Sequence, residues 1–584
     1  MKRKLFAFVL ITSIISACNS DMDLQNMITR AVNSGQSEII IPAGRYEIDE
    51  TILLDGVEGL IIRAENPGDV KITSGIEIPL TAFTCLDEEK GLYEITIPEL
   101  ISDSWPDAFR GYAGWPEVYI SGYPLHLARW PNKGYTKIDS VIQKGSIPRN
   151  DDSTKHGGIF TSKLHTELPN LNSPLYLSGY WCYKWYDEVI RVESIDYETG
   201  EIKMASPHRY GIGGPSGGLF YAINVPEILD EPYEYYFDRE TGTIRMILPE
   251  KVPDNPVIQI GYKDFTLIDI QNCRNVRIEG IEFTVHNGLA IQVTYSDSVI
   301  IQSCDLNRLA QSAVEIFGGM NCGVSDSRIN IIGATGVRLE GGNRESLTPA
   351  GHFVTKSTIS DFARHIKTYA PAVSLQGVGH IVSHNKIADA PHNAILFSGN
   401  DHLIEKNDIR RVCWDTSDAG AIYCGRDWTM GGTVIKNNSF FNLGQASHHH
   451  NWAIYLDDLA SGIVVLNNYI NDCPSGILVG GGRYNRIIGN EITNCPKASI
   501  MYDARGLNWY IPYIEDPDNE LWQRLSAVPI EKSPWKDRFP WLMDISDDEP
   551  GIPKYVTILD NIIINSADPS IHSTVNEFGN VRFD

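Results

Sequence analysis

The sequence predicts an all-β fold, a right-handed parallel β-helix into which an antiparallel β domain is inserted. A phrase of the form V-x-I-x-x-N-x-I recurs in the second half of the chain, and its copies lie 22 to 31 residues apart. This period is typical of the coils of a solenoid. Apolar residues alternate in twos within each copy, which favours strands over a helical repeat. The copies begin at Gly379, Asp401, Gly432, Gly462 and Tyr484.

One asparagine holds the same place in every copy. A side-chain amide at a turn can bond along the stack and satisfy backbone groups that a sharp bend leaves unpaired. We therefore predict an asparagine ladder at one corner of the solenoid, formed by Asn385, Asn407, Asn438, Asn468 and Asn490. Further copies begin at Arg274, Asp297, Asn321, Gly351 and Tyr555, which gives ten coils between residues 255 and 570.

The remaining sequence divides the chain into four regions. Residues 1–18 form a lipoprotein signal peptide, and residues 19–80 form an N-terminal cap and the first coils. Residues 81–254 break the period and alternate in strands rich in Trp, Tyr, Gly and Pro, so an inserted antiparallel β domain is predicted there. Residues 255–584 form the main β-helix, with an aromatic-rich excursion at 504–553 that we expect to fold as a lid or wall.

The N-terminus has the pattern of a secretory signal. Three basic residues precede the apolar run Leu5–Ile15, and small residues lie directly before Cys18. This segment resembles a bacterial lipoprotein signal, and the acidic stretch after Cys18 resembles the surface-export tag of Bacteroidetes lipoproteins. The resemblance implies that Cys18 is lipidated and anchors the chain in the outer membrane, facing the cell surface or the periplasm. An ordinary cleaved signal with an incidental cysteine is the alternative.

The net charge and the cysteine content argue against several classes of function. The formal net charge is −25, and such a field repels nucleic acid. The spacing of the cysteines matches no zinc site, and a core of this size needs no disulfide framework. We therefore predict no cofactor, no metal and no nucleic-acid partner, and we expect a monomer.

Acidic residues converge on one part of the predicted solenoid. If the inward isoleucine of the second strand of each coil is taken as zero, position +3 faces outward and position +4 follows it. Asp418, Arg426, Asp457, Asp458 and Asp503 then cluster across three adjacent coils, beside the two largest loops. Glu340 and Gln376 occupy the same outward column, and Tyr455, Arg505, Trp509 and His449 lie in or beside the cluster.

This cluster can perform acid–base chemistry. Two carboxyl groups that flank a glycosidic bond are the minimum for hydrolysis, one as the acid and the other as the base or nucleophile. An arginine can hold a carboxylate ionised or bind a substrate hydroxyl. The alternative is that the aspartates only cap turns. We predict catalysis by Asp418 and Asp458, with Asp457 and Asp503 as the competing pair.

Four phrases carry a family resemblance: DAGAIYCGRDW from Asp418, WAIYLDDLASG from Trp452, GGGRYN from Gly480 and DARGLNW from Asp503. They resemble bacterial right-handed β-helix carbohydrate-active proteins, most of all glycoside hydrolase family 141, which includes fucosidases and xylanases. The resemblance implies two catalytic aspartates on neighbouring coils, which Asp418 and Asp458 match best. From their positions around the cluster we also predict that the substrate is bound by Arg426, Glu340, Gln376, Tyr455, His449, Arg505 and Trp509.

Three functions compete for this sequence. The first is a glycoside hydrolase that acts on a plant or algal polysaccharide or its oligosaccharide. The second is a polysaccharide lyase on the same scaffold, which would need a basic residue to take a proton beside a uronate carboxylate. The third is a surface lipoprotein that binds glycans without cleaving them. The fold alone does not separate them, because one scaffold carries many functions.

Overall fold

The computed structural model of the protein describes residues 24–102, 115–150, 152–168, 174–249, 255–444 and 451–572, with short pieces at 108–109, 171, 251–252, 577–579 and 582–583. Cys18 and His449 lie outside the described residues, so their predicted roles stay predictions. No helix among the described segments is both long and apolar enough to cross a membrane.

Three long parallel sheets form the right-handed β-helix that the sequence predicts. Each coil contributes one short strand to each sheet, and every strand pairs in parallel with its counterpart in the next coil. The strands of the first sheet are Glu38–Ile41, Ile61–Ala64, Arg277–Glu279, Ile300–Gln302, Gly323–Ser325, Phe353–Thr355, Ile381–Ser383, Leu403–Glu405, Val434–Lys436, Val464–Leu466, Arg486–Ile488, Thr557–Leu559 and Glu577–Gly579.

The second and third sheets complete each coil, and the third sheet carries the candidate site. The strands of the second sheet are Gly44–Glu47, Val70–Thr73, Ile281–His286, Asp305–Leu309, Arg328–Ile332, Thr358–Ser360, Lys386–Ala388, Asp408–Arg410, Ser439–Phe441, Tyr469–Asn471, Glu491–Thr493, Ile562–Ile564 and Arg582–Phe583. Those of the third sheet are Ile52–Asp55, Ile268–Gln271, Ile291–Asp297, Val314–Met320, Val337–Gly341, Val373–Val378, Ile395–Asn400, Gly420–Cys424, Trp452–Leu456, Ser475–Gly480, Ala498–Asp503 and Ser570–Ile571.

The core lies inside the coils and is built from columns of aliphatic residues. Ile422, Ile454, Ile477 and Ile500 pair in register along the third sheet, and all four are fully buried. Each coil alone exposes its inner face, so stacking on the next coil is what buries these side chains. Cys473 and Cys495 are also buried and free, as part of the same core.

The predicted asparagine ladder is confirmed and gains a sixth member, Asn561. Each side-chain amide donates to Oδ1 of the next asparagine at 2.9–3.0 Å. Each Nδ2 also donates to a backbone carbonyl, as Asn438 does to Ile404 at 2.9 Å. The ladder therefore satisfies buried polar groups at the turn between the first and second sheets in six consecutive coils.

The inserted domain consists of three antiparallel sheets, apart from one short parallel pairing. Its outermost strands, Ile76–Pro79 and Val257–Gly261, pair with each other, so the domain extends a few residues beyond both sequence boundaries, 81 and 254. Its other strands are Thr84–Asp87, Leu92–Thr96, Ala108–Phe109, Glu117–Ile120, Tyr123–Pro124, His126–Leu127, Arg129–Trp130, Thr136–Lys137, Ser140–Gln143, Ile159–Thr161, Tyr176–Tyr180, Asp187–Asp196, Glu201–Met204, Leu219–Ile223, Glu234–Asp238 and Thr243–Ile247.

Helices are few and lie at the N-terminal end of the coils, in the inserted domain and in the excursion. The first helix caps the open end of the coils and buries Leu24 and Ile28 against the core. Asn519 caps a helix in the excursion, because its side chain accepts from the backbone N–H of Leu521 at 3.2 Å. The α-helices are Leu24–Asn33, Leu164–Glu167, Ile511–Glu515, Glu520–Ser526 and Trp535–Arg538; the 3-10 helices are Leu80–Ala82, Pro98–Leu100, Pro148–Asn150, Pro226–Ile228, Arg505–Leu507 and Pro540–Leu542.

Candidate active site

The acidic cluster lies on the outer side of the third sheet and spans four coils, one more than the three adjacent coils predicted, because the coil of Ser475–Gly480 lies between those of Asp457 and Asp503. Asp457, Asp458 and Asp503 lie at or just beyond the ends of their strands, whereas Asp418 precedes its strand. Tyr455, near the end of the Trp452–Leu456 strand, reaches across the sheet because its hydroxyl donates to Oδ1 of Asp418 at 3.1 Å. The carboxylates are therefore brought together by the stacking of coils and one spanning tyrosine.

Arg505 joins three of the four aspartates. Its Nη1 bonds to Oδ1 of Asp457 and to Oδ1 of Asp458, the latter at 2.9 Å. Its Nη2 and Nε bond to Asp503 at 2.8–3.2 Å. The Arg505 side chain is only 6% exposed, so these charge-assisted bonds form away from bulk water, where they are strongest.

Asp457 and Asp458 are adjacent acids with different partners. Oδ2 of Asp457 accepts from the hydroxyl of Tyr423 at 2.8 Å. Oδ2 of Asp458 accepts from Nε of Arg426 at 3.1 Å. The side chain of Asp458 is 4% exposed and that of Asp457 is 12% exposed, so Asp457 is the more accessible member of the pair.

Burial and the adjacent Asp457 raise the pKa of Asp458 to about 7, against the opposing effect of Arg505 and Arg426. A carboxyl group with such a pKa carries its proton in part of the population at neutral pH. Because two like charges this close cannot both ionise freely, the proton belongs to the pair as much as to one residue. The pair is thus suited to give or take a proton near pH 7.

The inserted domain supplies one wall above the cluster. Tyr183 and Trp185 stack with ring centroids 4.7 Å apart, and Tyr210 packs edge-on against both. Trp185 also meets Tyr369, at 6.5 Å, and Tyr369 meets Tyr423 at 6.3 Å. A continuous series of aromatic rings therefore runs from the inserted domain down to the tyrosine that binds Asp457.

The excursion supplies the opposite wall. Trp509 is 58% exposed, and the guanidinium of Arg505 lies 5.6 Å from the centre of its ring. Tyr510 is buried beside the acids, and burial together with Asp458 raises its pKa. Glu520 accepts from Nη1 of Arg426 at 3.4 Å. Aromatic and acidic groups of the excursion thus extend the site outward from the face of the third sheet.

The structure brings together most of the residues that the sequence predicts for the site, and it separates two. Asp418, Asp457, Asp458, Asp503, Arg426, Arg505, Tyr455 and Trp509 form one connected group. Glu340 and Gln376 lie in the same outward column but four and three coils away, and Glu340 pairs with Arg338 at 2.9 Å. At about 4.8 Å per coil they are roughly 14–19 Å from Asp457, so their predicted column is confirmed and their role in substrate binding stays a prediction.

Four residues of the site are not predicted from the sequence: Tyr369, Tyr423, Tyr510 and Glu520. Tyr423 follows the inward Ile422 and therefore faces outward, so strand alternation marks it once the acids are known. Glu520 and Tyr510 belong to the excursion, which has no repeat to align with the coils. Nothing in the spacing of the sequence places them over Arg426 and Asp458.

No group of three or more metal-ligating side chains is arranged for an ion among the residues that the structure describes. The site instead combines carboxyl groups of different environment, two arginines and aromatic walls. Such a combination can protonate one oxygen, hold a second carboxylate ionised and stack a sugar ring against an aromatic face.

Comparison with known proteins supports the fold and leaves the chemistry open. The family described as "Right handed beta helix region" matches residues 371–510. A solved structure titled "Glycoside hydrolase" superposes with a TM-score of 0.60 at 13% identity, covering 82% of this chain and 92% of that chain. The structure titled "The complex structure of XylC with xylose" has a TM-score of 0.50 at 12% identity, covering 94% and 80%. No curated protein matches the sequence.

Proposed function

We propose that the protein is a glycoside hydrolase that cleaves a plant or algal polysaccharide, or an oligosaccharide from it, with an aspartate acid/base pair. The observation that carries the proposal is the convergence of Asp418 and the Asp457–Asp458 pair on neighbouring coils, between two aromatic walls. Two structurally similar proteins bear titles that name a glycoside hydrolase and a xylose complex, which agrees with the proposal. The resemblance to glycoside hydrolase family 141 is part of the same proposal.

The environments of the acids support a division of roles between them. Asp418 is half-buried and accepts from Tyr455, which stabilises the ionised form, so it acts as the base or nucleophile. The Asp457–Asp458 pair keeps a proton near pH 7 and acts as the acid. Arg505 holds the second carboxylate of the pair ionised when the first carries the proton.

A lyase is disfavoured by the arginines. Proton abstraction beside a uronate carboxylate needs an unprotonated base. Arg505 is bonded to three carboxylates and Arg426 to two, and despite burial these anions raise the pKa of both guanidinium groups. Both therefore stay protonated and cannot take a proton from a sugar carbon.

The proposal is tested with a panel of xylan, polygalacturonate, fucoidan and 4-nitrophenyl glycosides. We expect products with plain reducing ends, whereas a lyase would leave an unsaturated uronate and a binding protein would leave no product. Asp418→Asn and Asp458→Asn should each lower turnover roughly 10²–10⁴-fold, because Asn keeps the shape and removes the titrating proton. Asp305→Asn is the matched control, since Asp305 pairs with Arg328 on the second sheet, away from the site. Normal turnover in the Asp418 and Asp458 variants would transfer the chemistry to Asp457 and Asp503.

We also propose that Cys18 is lipidated and that the anchor holds the protein at the outer membrane. The support is the basic and apolar N-terminal segment that ends in small residues before Cys18. Cys18→Ala should move the protein from the membrane fraction to the soluble fraction of the cell envelope. A variant that remains in the membrane fraction would contradict the lipid anchor.

A further inference from the structure

We infer that the site admits a sugar chain only by its end, because the inserted domain and the excursion meet above the acids. The inference rests on the proposed hydrolase function and adds the class of substrate to it: a chain terminus rather than the interior of a polymer. It follows from where the two segments attach to the third sheet and from where they touch each other.

The inserted domain attaches along one edge of the third sheet, in the turns that precede its strands. Nζ of Lys367 lies 3.0 Å from Oδ2 of Asp415, and the hydroxyl of Tyr135 in the inserted domain binds the same carboxylate. Asp187 accepts from the hydroxyl and the backbone N–H of Thr368, at 2.6 and 3.0 Å. Lys367, Thr368 and Asp415 all lie before a strand of this sheet.

The excursion attaches along the other edge, in the turns that follow the strands. Nη1 of Arg524 donates to the carbonyl of Arg426 at 2.9 Å, just beyond the Gly420–Cys424 strand. Trp535 donates to the carbonyl of Arg344 at 2.7 Å, and Arg483 pairs with Asp548 at 2.9 Å. Arg344 and Arg483 also follow strands of the third sheet. The two segments therefore rise from opposite edges of the same sheet.

An ion pair connects the two segments above the acids. Nη2 of Arg149, in the inserted domain, lies 4.0 Å from Oε1 of Glu520 in the excursion. The same carboxylate accepts from Arg426, which in turn donates to Asp458. The backbone of Arg149 is held by the carbonyl of Arg209, next to the aromatic wall. The bridge is therefore two ion pairs away from the acid pair.

The excursion also brings aromatic side chains to the acids on its side of the bridge. Tyr513 packs on Tyr510 with ring centroids 4.7 Å apart, and Tyr510 lies beside Asp458. A bridged site is a pocket or a tunnel, and the interior of a long polymer cannot pass beneath a closed bridge in either case. Only a chain end can enter.

The experiment compares the size of early products with the loss of polymer length. On the polymer of the panel that is cleaved, we expect the smallest sugar products from the first time point, while the remaining polymer keeps its length and viscosity. Arg149→Ala removes the described contact of the bridge from the side of the inserted domain and leaves the aromatic wall intact. This variant should raise the proportion of mid-length products several-fold.

Arg245→Ala is the matched control, because Arg245 forms a similar part-exposed ion pair with Glu94 in the inserted domain, away from the site. It should keep the product pattern of the unmodified protein. Mid-length products and a rapid fall in viscosity with the unmodified protein would overturn end-first entry while leaving a hydrolase. An unchanged pattern in Arg149→Ala would overturn the role of the bridge. Cleavage of no polymer or glycoside would overturn the proposed function itself.

Discussion

Arg505 donates from Nη1 to Oδ1 of Asp458 at 2.9 Å, and the same nitrogen also binds the neighbouring Asp457. One guanidinium group thus compensates two adjacent buried carboxyls, although it comes from a different coil. Arg505 lies at the start of the excursion. The buried acids of the third sheet therefore have their shared cation only when the excursion is folded against the sheet. The wall of the site and the charge balance of the site are one structural unit.

The first prediction concerns the pH dependence of hydrolysis. With the pKa of Asp458 near 7, the protonated pair is present below that pH and is lost above it. If the pair is the acid, kcat/KM should fall as pH rises through about 7, and Asp458→Asn should abolish this alkaline limb along with most of the activity. An alkaline limb that stays at the same pH in the residual activity of this variant would assign the titration to another group.

The second prediction concerns stability: unlike most substitutions in an active site, Asp458→Asn should stabilise the folded protein at alkaline pH. The folded protein holds a proton on Asp458 up to about pH 7, whereas the unfolded chain loses it near pH 4, so stability falls as pH rises between these values. Asp458→Asn carries no charge to bury. It should therefore raise the free energy of unfolding at pH 8 by on the order of 1 kcal/mol or more, and much less at pH 5.

Urea unfolding at the two pH values measures this difference directly. Asp305→Asn is again the control, because Asp305 pairs with Arg328 at the surface and should show no such pH-dependent gain. A variant of Asp458 that is less stable than the unmodified protein at pH 8 would mean that its contacts with Arg426 and Arg505 outweigh the cost of burying its charge.

The third prediction concerns Arg505. Arg505→Gln leaves Asp457, Asp458 and Asp503 without their shared cation, and removal of one partner from a buried ion pair costs roughly 3–5 kcal/mol. Since Arg505 lowers the pKa of Asp458, its loss should raise that pKa further and shift the alkaline limb to higher pH. The loss of stability should be smaller at pH 5, where Asp458 is protonated. Thermal unfolding at both pH values, with Arg328→Gln as control, measures it.

The repeat made the fold predictable, and its interruptions limited the prediction of the site. Asn438 and Ile454 recur at fixed places in successive coils, so the ladder and the core column follow from spacing alone. The same column argument correctly puts Glu340 on the face of the acids, but a position four coils away leaves its role in the site untested. Glu520 comes from a segment without a repeat, so its contact with Arg426 depends on tertiary packing that no local pattern encodes.

The fourth prediction concerns the asparagine ladder. Asn438 donates to Ile404 and Asn468 and accepts from the backbone and side chain of Asn407, all at 2.9–3.0 Å and all buried. Asn438→Ala leaves several of these groups unpaired, and each unpaired buried group costs about 1–3 kcal/mol. We expect a loss of roughly 2–4 kcal/mol in the free energy of unfolding. Exposed Asn66→Ala should cost far less, and an equal loss in both would contradict a role for the ladder.

The fifth prediction concerns a second ladder, made of histidines. His352, His380 and His402 stack with ring centroids 5.3 and 5.2 Å apart at consecutive coils. Burial lowers the pKa of His352 and His380 to about 4 and that of His402 to about 3. The rings are therefore neutral in the folded protein at pH 6, where the unfolded chain already binds protons.

This difference in bound protons makes the folded state less stable at acidic pH. Below pH 6.5 the unfolded chain holds more protons than the folded one, so stability falls as pH decreases from about 6.5 to about 4, by up to about 1.4 kcal/mol per pH unit for each histidine. His380→Phe keeps an aromatic ring in the stack and removes one titrating group. The ladder's contribution to the change in the free energy of unfolding with pH should fall by about one third. This expectation holds whatever the substitution does to the free energy of unfolding at pH 7. His384→Phe, at an exposed position, should leave the slope unchanged. Denaturant unfolding between pH 7 and pH 4.5 measures the slopes, and an identical slope for His380→Phe and the unmodified protein would exclude the ladder as the source of acid sensitivity.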